Sequence, residues 1–599
     1  MTTDSIPGSG PLFLGLDSST QALKASLLDE SLRVLSELTV RFDDDLPHFG
    51  TRGGVLTGDK GEVFSPVMQP IEALDMLLDR MKDAAWPVGR IRAISAAGQQ
   101  HASVYWSRDA SSIMSNADPG TDLASQLESA FSREIIPNWQ DSSTVPECSA
   151  ITVAAGGPDS LAQITGSSAH TRFTGAQIMK FVRREPMAYA ETGRISLVSS
   201  YITTLLCLSD VKPIDESDAC GMNLYDIKER KWSKKLLDVV DPSGQLEGKL
   251  GAVEKDSGAV IGTIGRWFVD RYGFDSECVV LPGTGDNPAT FLSLNLGAGE
   301  GMVSLGTSDV VLVSTESYNP HPEFHAFLDP ALGPGEQPRY FNMLVYKNGS
   351  LAREHVRNEY FSSSWDKFNA AVERLRPRQA GDKISKTAFW WLLPDIIPAG
   401  AKGVYKYDLT TRVEKFEDVD DEALAILSTQ MTGYSVRSGD ILSGGRLTKV
   451  FATGGAAKNP SILAVMADAL GCDVAKSVSF ENGSPKDADW NACSVGVATK
   501  AAWGYARTQG CTLRFDAFVK KAGTSGSHTV AAPGPGSQAY ADSMPRWKQL
   551  EKESLDDSLA KQKAKPHYAG GVSISRQQSP EAALHPPRGN DIVLEEAHA

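Results

Sequence analysis

Short apolar runs separated by polar turns open the chain. From Pro11 to Phe42 the sequence contains LFLGLDSST, QALKASLLDE and VLSELTVRF, and the second run alternates between apolar and polar residues. Alternation of this kind is typical of β-strands, and the residues between the runs suit tight turns. The pattern predicts a three-stranded β-meander at the start of the protein.

The same pattern recurs near the middle of the chain. There, GEGMVSLGTSDVVLVSTE again places a turn of Gly, Ser, Thr and Asp between two β-rich runs, which we interpret as a divergent duplication. Between the two copies, PVMQPIEALDMLLDRMKDAA repeats its apolar residues at helical intervals, and RIRAISAAGQ resembles a strand. These segments predict helices packed on mixed sheets, and therefore an α/β fold.

The length of the chain predicts more than one domain. A chain of 599 residues exceeds what one hydrophobic core usually serves. The turn-forming sequence LPGTGDNP occupies residues 281–288, so we predict one domain over residues 1–285 and a second over 286–556. Residues 557–599 have scarcely any periodic apolar content and are predicted to form a disordered tail.

Composition narrows the functional classes. A formal net charge of -15 argues against a nucleic-acid partner, because phosphate backbones are bound by clustered Lys and Arg. The 7 cysteines are scattered without a C-x-x-C pair, which favours reduced thiols and a cytoplasmic location. No signal peptide or membrane-length apolar run is recognisable, so no membrane partner is expected.

Two polar turns offer groups that bind phosphate. Residues 15–21, GLDSSTQ, place backbone N–H groups, hydroxyls and one carboxylate between two strands. Taken alone, this turn is equally typical of an ordinary hairpin. Residues 304–309, SLGTSD, supply a matching turn, and two such turns facing each other would hold a triphosphate between two domains.

A third Gly-rich element occupies residues 451–459, FATGGAAKN, between a strand-like run and a helical pattern. Its small residues would let a flat base approach the backbone, although a tight strand-to-helix connection explains them equally well. The sequence has no Walker P-loop, and Pro288 stands where the third glycine of a dinucleotide fingerprint starting at Gly283 and Gly285 would be required. Neither classical nucleotide-binding motif therefore applies.

A set of amides, an imidazole, an aromatic ring and carboxylates suggests a polyol site. It comprises residues 98–101 (GQQH), residues 139–141 (WQD), Arg172, Asp286 and Asn287. Singly each is ambiguous, since a lone His at a strand end is more often structural and Trp139 is more often a packing residue. Asp286 is the best candidate general base, because a hydroxyl attacks phosphorus only if its proton leaves as the bond forms.

The ordered motifs together resemble a known family. GLDSSTQ, GQQHAS, WQDSST, RFTG, DACGMNL, GTGDNP, SLGTSD, YKNGSLAREHVR and ATGGAAKNP follow one another between about residues 11 and 556. This set resembles the eukaryotic xylulokinases of the FGGY carbohydrate-kinase family. The resemblance implies two ribonuclease H-like domains of the actin, hexokinase and Hsp70 superfamily. It also implies an N-terminal sugar-binding domain, a C-terminal nucleotide-binding domain and a cleft between them.

The resemblance also implies ligands and the residues that hold them. The cofactors would be ATP and Mg²⁺, and the reaction would convert D-xylulose to D-xylulose 5-phosphate with Asp286 as general base. The implied sugar contacts are His101, Arg172, Asp286 and Asn287. The implied contacts of Mg²⁺ and the phosphates are Asp17, Thr20, Gly306 and Thr307. The implied adenosine contacts are Trp365, Gly454, Gly455 and Asn459.

The sequence departs from the family's pattern at three places, and it leaves two alternative functions open. Ala102, the pair Ala219-Cys220 and the pair His170-Thr171 replace the residues usual in the family, which bears on sugar preference. One alternative is another kinase of the family, acting on ribulose or glycerol. The other is an ATP-binding sugar sensor that transfers no phosphate. A monomer or a homodimer is expected.

Overall fold

The structure is a computed structural model that describes residues 6, 8–481, 484–488, 490–523 and 526–564. The first half of the chain contains the strands β1 (Leu12–Ser18), β2 (Ala22–Leu28), β3 (Val34–Arg41), β4 (Leu56–Thr57), β5 (Val63–Pro66), β6 (Ile91–Gly98), β7 (Ser103–Ser107), β8 (Ile135–Pro137), β9 (Thr192–Leu197), β10 (Ile214–Asp215), β11 (Tyr225–Asp226), β12 (Lys231–Trp232), β13 (Val253–Glu254), β14 (Gly262–Thr263), β15 (Val279–Val280) and β16 (Thr284–Gly285). Its helices are α1 (Phe42–Asp45), α2 (Gln69–Asp83), α3 (Ala110–Ser115), α4 (Ala124–Leu127), α5 (Val145–Ala155), α6 (Pro158–Thr165), α7 (Thr174–Arg184), α8 (Pro186–Glu191), α9 (Val198–Cys207), α10 (Glu216–Ala219), α11 (Lys234–Val240), α12 (Leu246–Leu250), α13 (Arg266–Tyr272) and α14 (Asp286–Leu294).

The second half contributes the strands β17 (Glu300–Leu305), β18 (Asp309–Thr315), β19 (His325–Leu328), β20 (Tyr340–Tyr346), β21 (Lys386–Trp391), β22 (Gly403–Asp408), β23 (Thr411–Val413), β24 (Lys449–Thr453), β25 (Asp473–Glu481), β26 (Ser484–Asp487) and β27 (Gly526–Ala531). Its helices are α15 (Ser350–Tyr360), α16 (Trp365–Leu375), α17 (Asp420–Ile441), α18 (Pro460–Leu470), α19 (Ala492–Thr508), α20 (Phe515–Ala522) and α21 (Gln538–Ala564). We call the part built around the sheet of β1 the first lobe and the part built around the sheet of β17 the second lobe.

The central sheet of the first lobe has the strand order β14-β15-β6-β1-β2-β3, with β16 also paired to β6. Strands β1, β2 and β3 are antiparallel neighbours, so the predicted meander is confirmed, as are the predicted helix α2 and strand β6. Strands β1 and β16 both run parallel to β6, and Asp17 and Thr284 both lie opposite Ala97. The ends of three parallel strands therefore meet at one edge of the sheet.

The central sheet of the second lobe has the order β19-β20-β18-β17-β24-β25-β26, with β27 paired to β25. Strands β17 and β18 form the predicted second hairpin, and β17 also pairs in parallel with β24. The first lobe repeats this arrangement, since β1 pairs with β2 in a hairpin and with β6 in parallel. The shared arrangement supports the predicted duplication of an α/β unit.

Helix α19 comes from the second half of the chain but packs on the sheet of the first lobe. A Cβ atom at Gly15 of β1 would lie 1.8 Å from the Ser494 carbonyl oxygen, and one at Gly496 would lie 2.0 Å from the Ala289 carbonyl oxygen. Only glycine permits such close backbone approach. The two glycines therefore let α19 rest directly against β1 and α14, with its N-terminus near the start of α14.

A shared apolar core joins the two lobes on one side. Phe341 of β20 stacks on Phe327 of β19 and on Phe291 of α14, with 4.8 Å between ring centroids in both pairs. The same cluster includes Tyr105 and Phe181 of the first lobe, and all five rings are buried. Strand β19 therefore stands at the boundary between the lobes, close to residues of the first lobe.

Helix α21 extends into the segment that the sequence predicted to be a tail. Helix α21 continues through Ala564, because Ser558 is buried and its hydroxyl donates a hydrogen bond to the Lys402 carbonyl oxygen at 2.8 Å. The expected tail start at 557 is therefore wrong, and residues 565–599 lie outside the described residues. The expected domain boundary after Gly285 stays a prediction. Among the described helices, none is both long and apolar enough to cross a membrane.

Candidate active site

The carboxylate of Asp286 lies at the first residue of α14, directly after β16. The Asn287 backbone N–H donates a hydrogen bond to Asp286 Oδ1 at 2.7 Å, and Asn287 Nδ2 donates to the same oxygen at 2.9 Å. The backbone N–H of Gln100 also faces this carboxylate. Because both donors of Asn287 bind Oδ1, the carboxylate has a fixed orientation at the end of the sheet.

The surroundings of Asp286 weaken its acidity. Burial raises the pKa of Asp286 to about 7, the negative charge of Asp17 adds to this rise, and the hydrogen bonds from Asn287 and Gln100 oppose it. A carboxyl group with a pKa near neutrality accepts a proton readily without being protonated throughout the physiological range. The position therefore suits a general base.

Asp17 lies at the end of β1, across β6 from Asp286, and it is buried. Burial raises the pKa of Asp17, while the side chains of Lys24 and Asn491 oppose the rise. The Lys24 ammonium is 3.7 Å from Asp17 Oδ2, and Asp17 Oδ1 has no hydrogen-bond partner in the described structure. A buried carboxylate oxygen without a donor is costly unless a cation or its water shell satisfies it.

This carboxylate fits one mode of binding a divalent cation. Among the described residues, no three or more His, Cys, Asp or Glu side chains cluster as a metal site. Mg²⁺ often binds to one or two carboxylates, several waters and the phosphates of a nucleotide, rather than to a cage made only of protein ligands. A single unpartnered carboxylate oxygen therefore fits Mg²⁺ that arrives with ATP.

His101 follows β6 with its backbone in the left-handed region, at φ 71°. Its Nδ1 is 2.7 Å from the Gly221 carbonyl oxygen, which accepts only, so Nδ1 carries the proton and Nε2 is an acceptor. Burial holds the pKa of His101 well below its usual range, and the charge of Arg172 lowers it further. The imidazole is therefore neutral and offers a lone pair.

Arg172 brings a positive charge to the same place. Burial lowers the pKa of Arg172 to about 10, and its guanidinium lies 5.4 Å from the centre of the Phe173 ring. In the described part of the chain, no carboxylate lies within ion-pair distance of it. Its N–H donors are consequently available to the oxygens of a ligand.

Thr20 lies in the turn between β1 and β2. Its hydroxyl accepts a hydrogen bond from Trp139 Nε1 at 2.8 Å and lies 3.5 Å from Gln99 Oε1. Trp139 is 43% exposed, so this indole borders the open face of the site rather than filling a core. Asp141, another member of the suspected sugar set, instead accepts hydrogen bonds from Val63 and other neighbours and has a structural role.

Hydrogen bonds from the N-terminus of α15 hold the turn between β17 and β18 in place. The Ser350 N–H donates to the Gly306 carbonyl oxygen at 2.9 Å, and the Leu351 N–H donates to the Thr307 carbonyl oxygen at 3.3 Å. Asp309, at the end of the turn, pairs with the buried Arg353 at 2.6 Å. The Thr307 side chain remains exposed, so its hydroxyl can contact a ligand.

The expected adenosine residues lie around the loop after β24. A Cβ atom at Gly454 would lie 2.7 Å from the Leu305 carbonyl oxygen, which places this loop against the turn after β17. Nothing lies within 4 Å of such an atom at Gly455. Asn459 caps α18 and donates a hydrogen bond to Asn369 Oδ1 of α16 at 2.9 Å. Trp365 begins the same helix α16.

The structure thus assembles two groups of the expected site residues. The group in the first lobe is Asp17, Thr20, His101, Arg172, Asp286 and Asn287. The group in the second lobe is Gly306, Thr307, Trp365, Gly454, Gly455 and Asn459. Within the described residues, no direct hydrogen bond joins a member of one group to a member of the other.

Sequence reasoning missed a histidine from the second lobe. His325 of β19 stacks on His101 with 5.7 Å between centroids and an interplanar angle of 15°. Its Nε2 lies 3.3 Å from the Cys220 carbonyl oxygen, and burial lowers the pKa of His325 to about 3. His170, a departure from the family's pattern, is also held neutral near Arg172. No local motif distinguishes His325 in the sequence.

Comparison with known proteins adds the following similarities. The models for the FGGY family of carbohydrate kinases match residues 132–293 with the N-terminal domain and residues 301–504 with the C-terminal domain. The probable D-xylulose kinase A of Aspergillus clavatus is 38% identical over 586 residues, covering 92% of this chain and 99% of the relative. D-xylulose kinase A of Aspergillus niger is 39% identical over 530 residues, covering 84% and 91%.

Solved structures share the fold at low identity. A xylulose kinase from Rhodospirillum rubrum has a TM-score of 0.68 at 16% identity, covering 91% of this chain and 99% of its own. A gluconate kinase from Lactobacillus acidophilus has a TM-score of 0.69 at 14% identity, covering 92% and 99%. The predicted two-domain α/β architecture is confirmed by these likenesses, which concern the fold alone.

Proposed function

This chain belongs to the FGGY family of carbohydrate kinases, and we propose from that membership and from the site that it phosphorylates D-xylulose with ATP. The product is D-xylulose 5-phosphate. The single observation that carries the chemistry is the placement of Asp286 beside Asp17, at the ends of parallel strands on either side of β6. The Asp286 carboxylate then accepts the proton of the sugar hydroxyl, and the Asp17 carboxylate binds the cation that accompanies the phosphates.

Asp286 is the proposed general base. Its carboxylate takes the proton of the ketose's terminal hydroxyl as that oxygen forms a bond to the γ-phosphorus of ATP. The bond between the γ-phosphorus and the bridging oxygen breaks, and its electron pair leaves with ADP. A base with a pKa of about 7 accepts this proton at neutral pH and releases it to solvent after the product leaves.

The sugar is held by donors and acceptors of the first lobe. His101 Nε2, left as an acceptor by the bond from Nδ1 to Gly221, receives a hydroxyl proton, and the Arg172 guanidinium donates to hydroxyl or carbonyl oxygens. Asn287 lies beside the base and contacts the same end of the substrate. Neutral imidazoles near Arg172 avoid a second positive charge, which suits an uncharged sugar.

MgATP is assigned to the turns at the strand ends of both lobes. When bound, Mg²⁺ neutralises the charge that develops on the β- and γ-phosphates. Asp17 Oδ1 would hold the ion through its water shell, and Thr20, Gly306 and Thr307 would bind phosphate oxygens through hydroxyl or backbone donors. Trp365, Gly454, Gly455 and Asn459 are assigned to adenosine.

A panel of sugars tests the proposal. Purified protein is incubated with MgATP and D-xylulose, D-ribulose, L-ribulose, glycerol or gluconate, and ADP formation is measured with a coupled assay. We expect D-xylulose to give the highest kcat/KM and phosphate-ester formation equal to ADP formation. Preference for another polyol by more than tenfold would contradict the substrate assignment. Absence of turnover on every sugar, with intact MgATP binding, would instead favour a sensor.

A further inference from the structure

Gln100 is buried between the end of β6 and the start of α14 in the first lobe. It is the second residue after β6 and directly precedes His101, and only 3% of it is exposed. Its backbone N–H faces the Asp286 carboxylate, and its side-chain Oε1 accepts a hydrogen bond from Asn287 Nδ2 at 3.0 Å. One residue therefore contacts both the proposed base and the amide that orients it.

The side chain of Gln100 determines which way the Asn287 amide faces. Asn287 Nδ2 donates one proton to Asp286 Oδ1 at 2.9 Å and the other to Gln100 Oε1 at 3.0 Å. Both amide protons are then used. If the Asn287 amide were flipped, its carbonyl oxygen would face Asp286 Oδ1 and Gln100 Oε1, which are both acceptors. Gln100 therefore favours the orientation in which the Asn287 carbonyl oxygen points away from these two atoms.

Two glycines leave room for the other end of the Gln100 side chain. A Cβ atom at Gly285 would lie 3.0 Å from Gln100 Nε2, and one at Gly221 would lie 3.5 Å from it. Gln100 Nε2 is buried without a hydrogen-bond partner in the described structure. Among the described residues, the Gln100 side-chain amide is therefore hydrogen-bonded only through Oε1.

We propose that Gln100 is a positioning residue for phosphoryl transfer, acting through Asn287. By accepting one proton of Asn287 Nδ2, it directs the other proton to Asp286 Oδ1, so that Asp286 Oδ2 faces the substrate hydroxyl. This inference rests on the proposed function of Asp286. It assigns the proton-accepting atom within the carboxylate, and it gives Gln100 of the GQQH segment the role of orienting that carboxylate through Asn287.

Two variants of Gln100 separate the lost acceptor from lost packing. Gln100→Met keeps the length of the side chain but removes Oε1, whereas Gln100→Glu keeps an acceptor oxygen. We expect kcat for D-xylulose to fall about tenfold to a hundredfold in Gln100→Met, because small misalignments of a reacting group have effects of this size. The KM for MgATP should stay within about twofold, and Gln100→Glu should recover most of kcat at pH 8.5.

The pH profile provides a readout that a purely structural role would not move. Loss of Oε1 loosens the hydrogen bonds that stabilise ionised Asp286, so the acid limb of kcat should move to higher pH in Gln100→Met. The matched control is Gln69→Met, which removes another buried glutamine whose side chain donates to Thr51 at 3.2 Å. That control should leave kcat and the acid limb unchanged.

A double-variant cycle tests whether Gln100 acts through Asn287. In an Asn287→Ala background, Gln100→Met should cause less than about a threefold further loss of kcat, because the two residues form one unit. The inference would be overturned if folded Gln100→Met had the kcat of the wild type and an unmoved acid limb. It would also be overturned if the losses of kcat from Gln100→Met and Asn287→Ala were fully additive in the double variant. These results presuppose an active wild-type protein, so an inactive wild type would refute the proposed function instead.

Discussion

Replacement of Asp286 by Asn removes the proposed base without removing its volume. The Asn287 backbone N–H bonds to Asp286 Oδ1, and an asparagine carbonyl oxygen in that position would accept the same bond. The asparagine NH₂ group would then occupy the place of Oδ2 and could not take a proton. We therefore expect a folded protein that has lost proton abstraction.

The same substitution should stabilise the fold at alkaline pH. The pKa of Asp286 is about 7 in the folded protein, against an ordinary value of 3.8. Because this pKa is raised, ionisation opposes folding, and the penalty grows as pH rises from about 4 to about 7. The difference corresponds to about 2 to 4 kcal/mol above pH 7, the lower figure allowing for solvent screening.

Two measurements on Asp286→Asn follow. The kcat for D-xylulose should fall by about 10² to 10⁴, the usual contribution of a general base, while MgATP affinity persists. The thermal midpoint should exceed that of the wild type at pH 8, and this difference should disappear near pH 4. Turnover close to the wild-type rate in folded Asp286→Asn would show that another group takes the proton. A thermal midpoint below that of the wild type at pH 8 would refute the raised pKa of Asp286.

Three further outcomes follow from the neighbours of Asp286 and from the second lobe. In the wild type, kcat/KM should fall as the pH drops below about 7. Asp17→Asn should move this acid limb of the pH profile to lower pH, because it removes a negative charge that raises the pKa of Asp286. An acid limb that does not move would contradict the electrostatic coupling of Asp17 to Asp286. Arg172→Met should raise the KM for D-xylulose about tenfold to a hundredfold and leave the KM for MgATP unchanged, which steady-state kinetics with each substrate varied would check. Arg353→Met should destabilise the second lobe by about 3 to 5 kcal/mol, because Asp309 would remain as a buried unpaired charge, and urea unfolding should detect the loss.

The hairpins were predictable because local patterns encode them. Alternation and turn residues predicted β1 to β3, and the repeat predicted β17 and β18. Asp286 was selected as the candidate base because it stands in a turn-forming segment and carries a carboxylate, and the structure places it at a strand end near Asp17; its role as the base stays a prediction. Helix α2 and strand β6 followed from their periodicity.

The contacts made by distant segments could not be predicted. His325 reaches His101 only because β19 lies at the edge of the second sheet and against the first lobe. The packing of α19 on β1 depends on Gly15 and Gly496 together, and each glycine alone is unremarkable in sequence. The helical residues 557–564 were predicted as tail because polar residues such as Ser558 are buried by tertiary contacts rather than by an apolar pattern.

The central claim is that the Asp286 carboxylate contacts the sugar hydroxyl that attacks the γ-phosphorus of the nucleotide. A crystal structure with D-xylulose and a non-hydrolysable MgATP analogue tests it most directly. The account predicts that Asp286 Oδ2 lies within about 3.2 Å of the ketose's terminal hydroxyl oxygen, and that this oxygen is aligned with the γ-phosphorus. A closed complex whose terminal hydroxyl contacts a different side chain, with Asp286 beyond reach of it, would contradict the account.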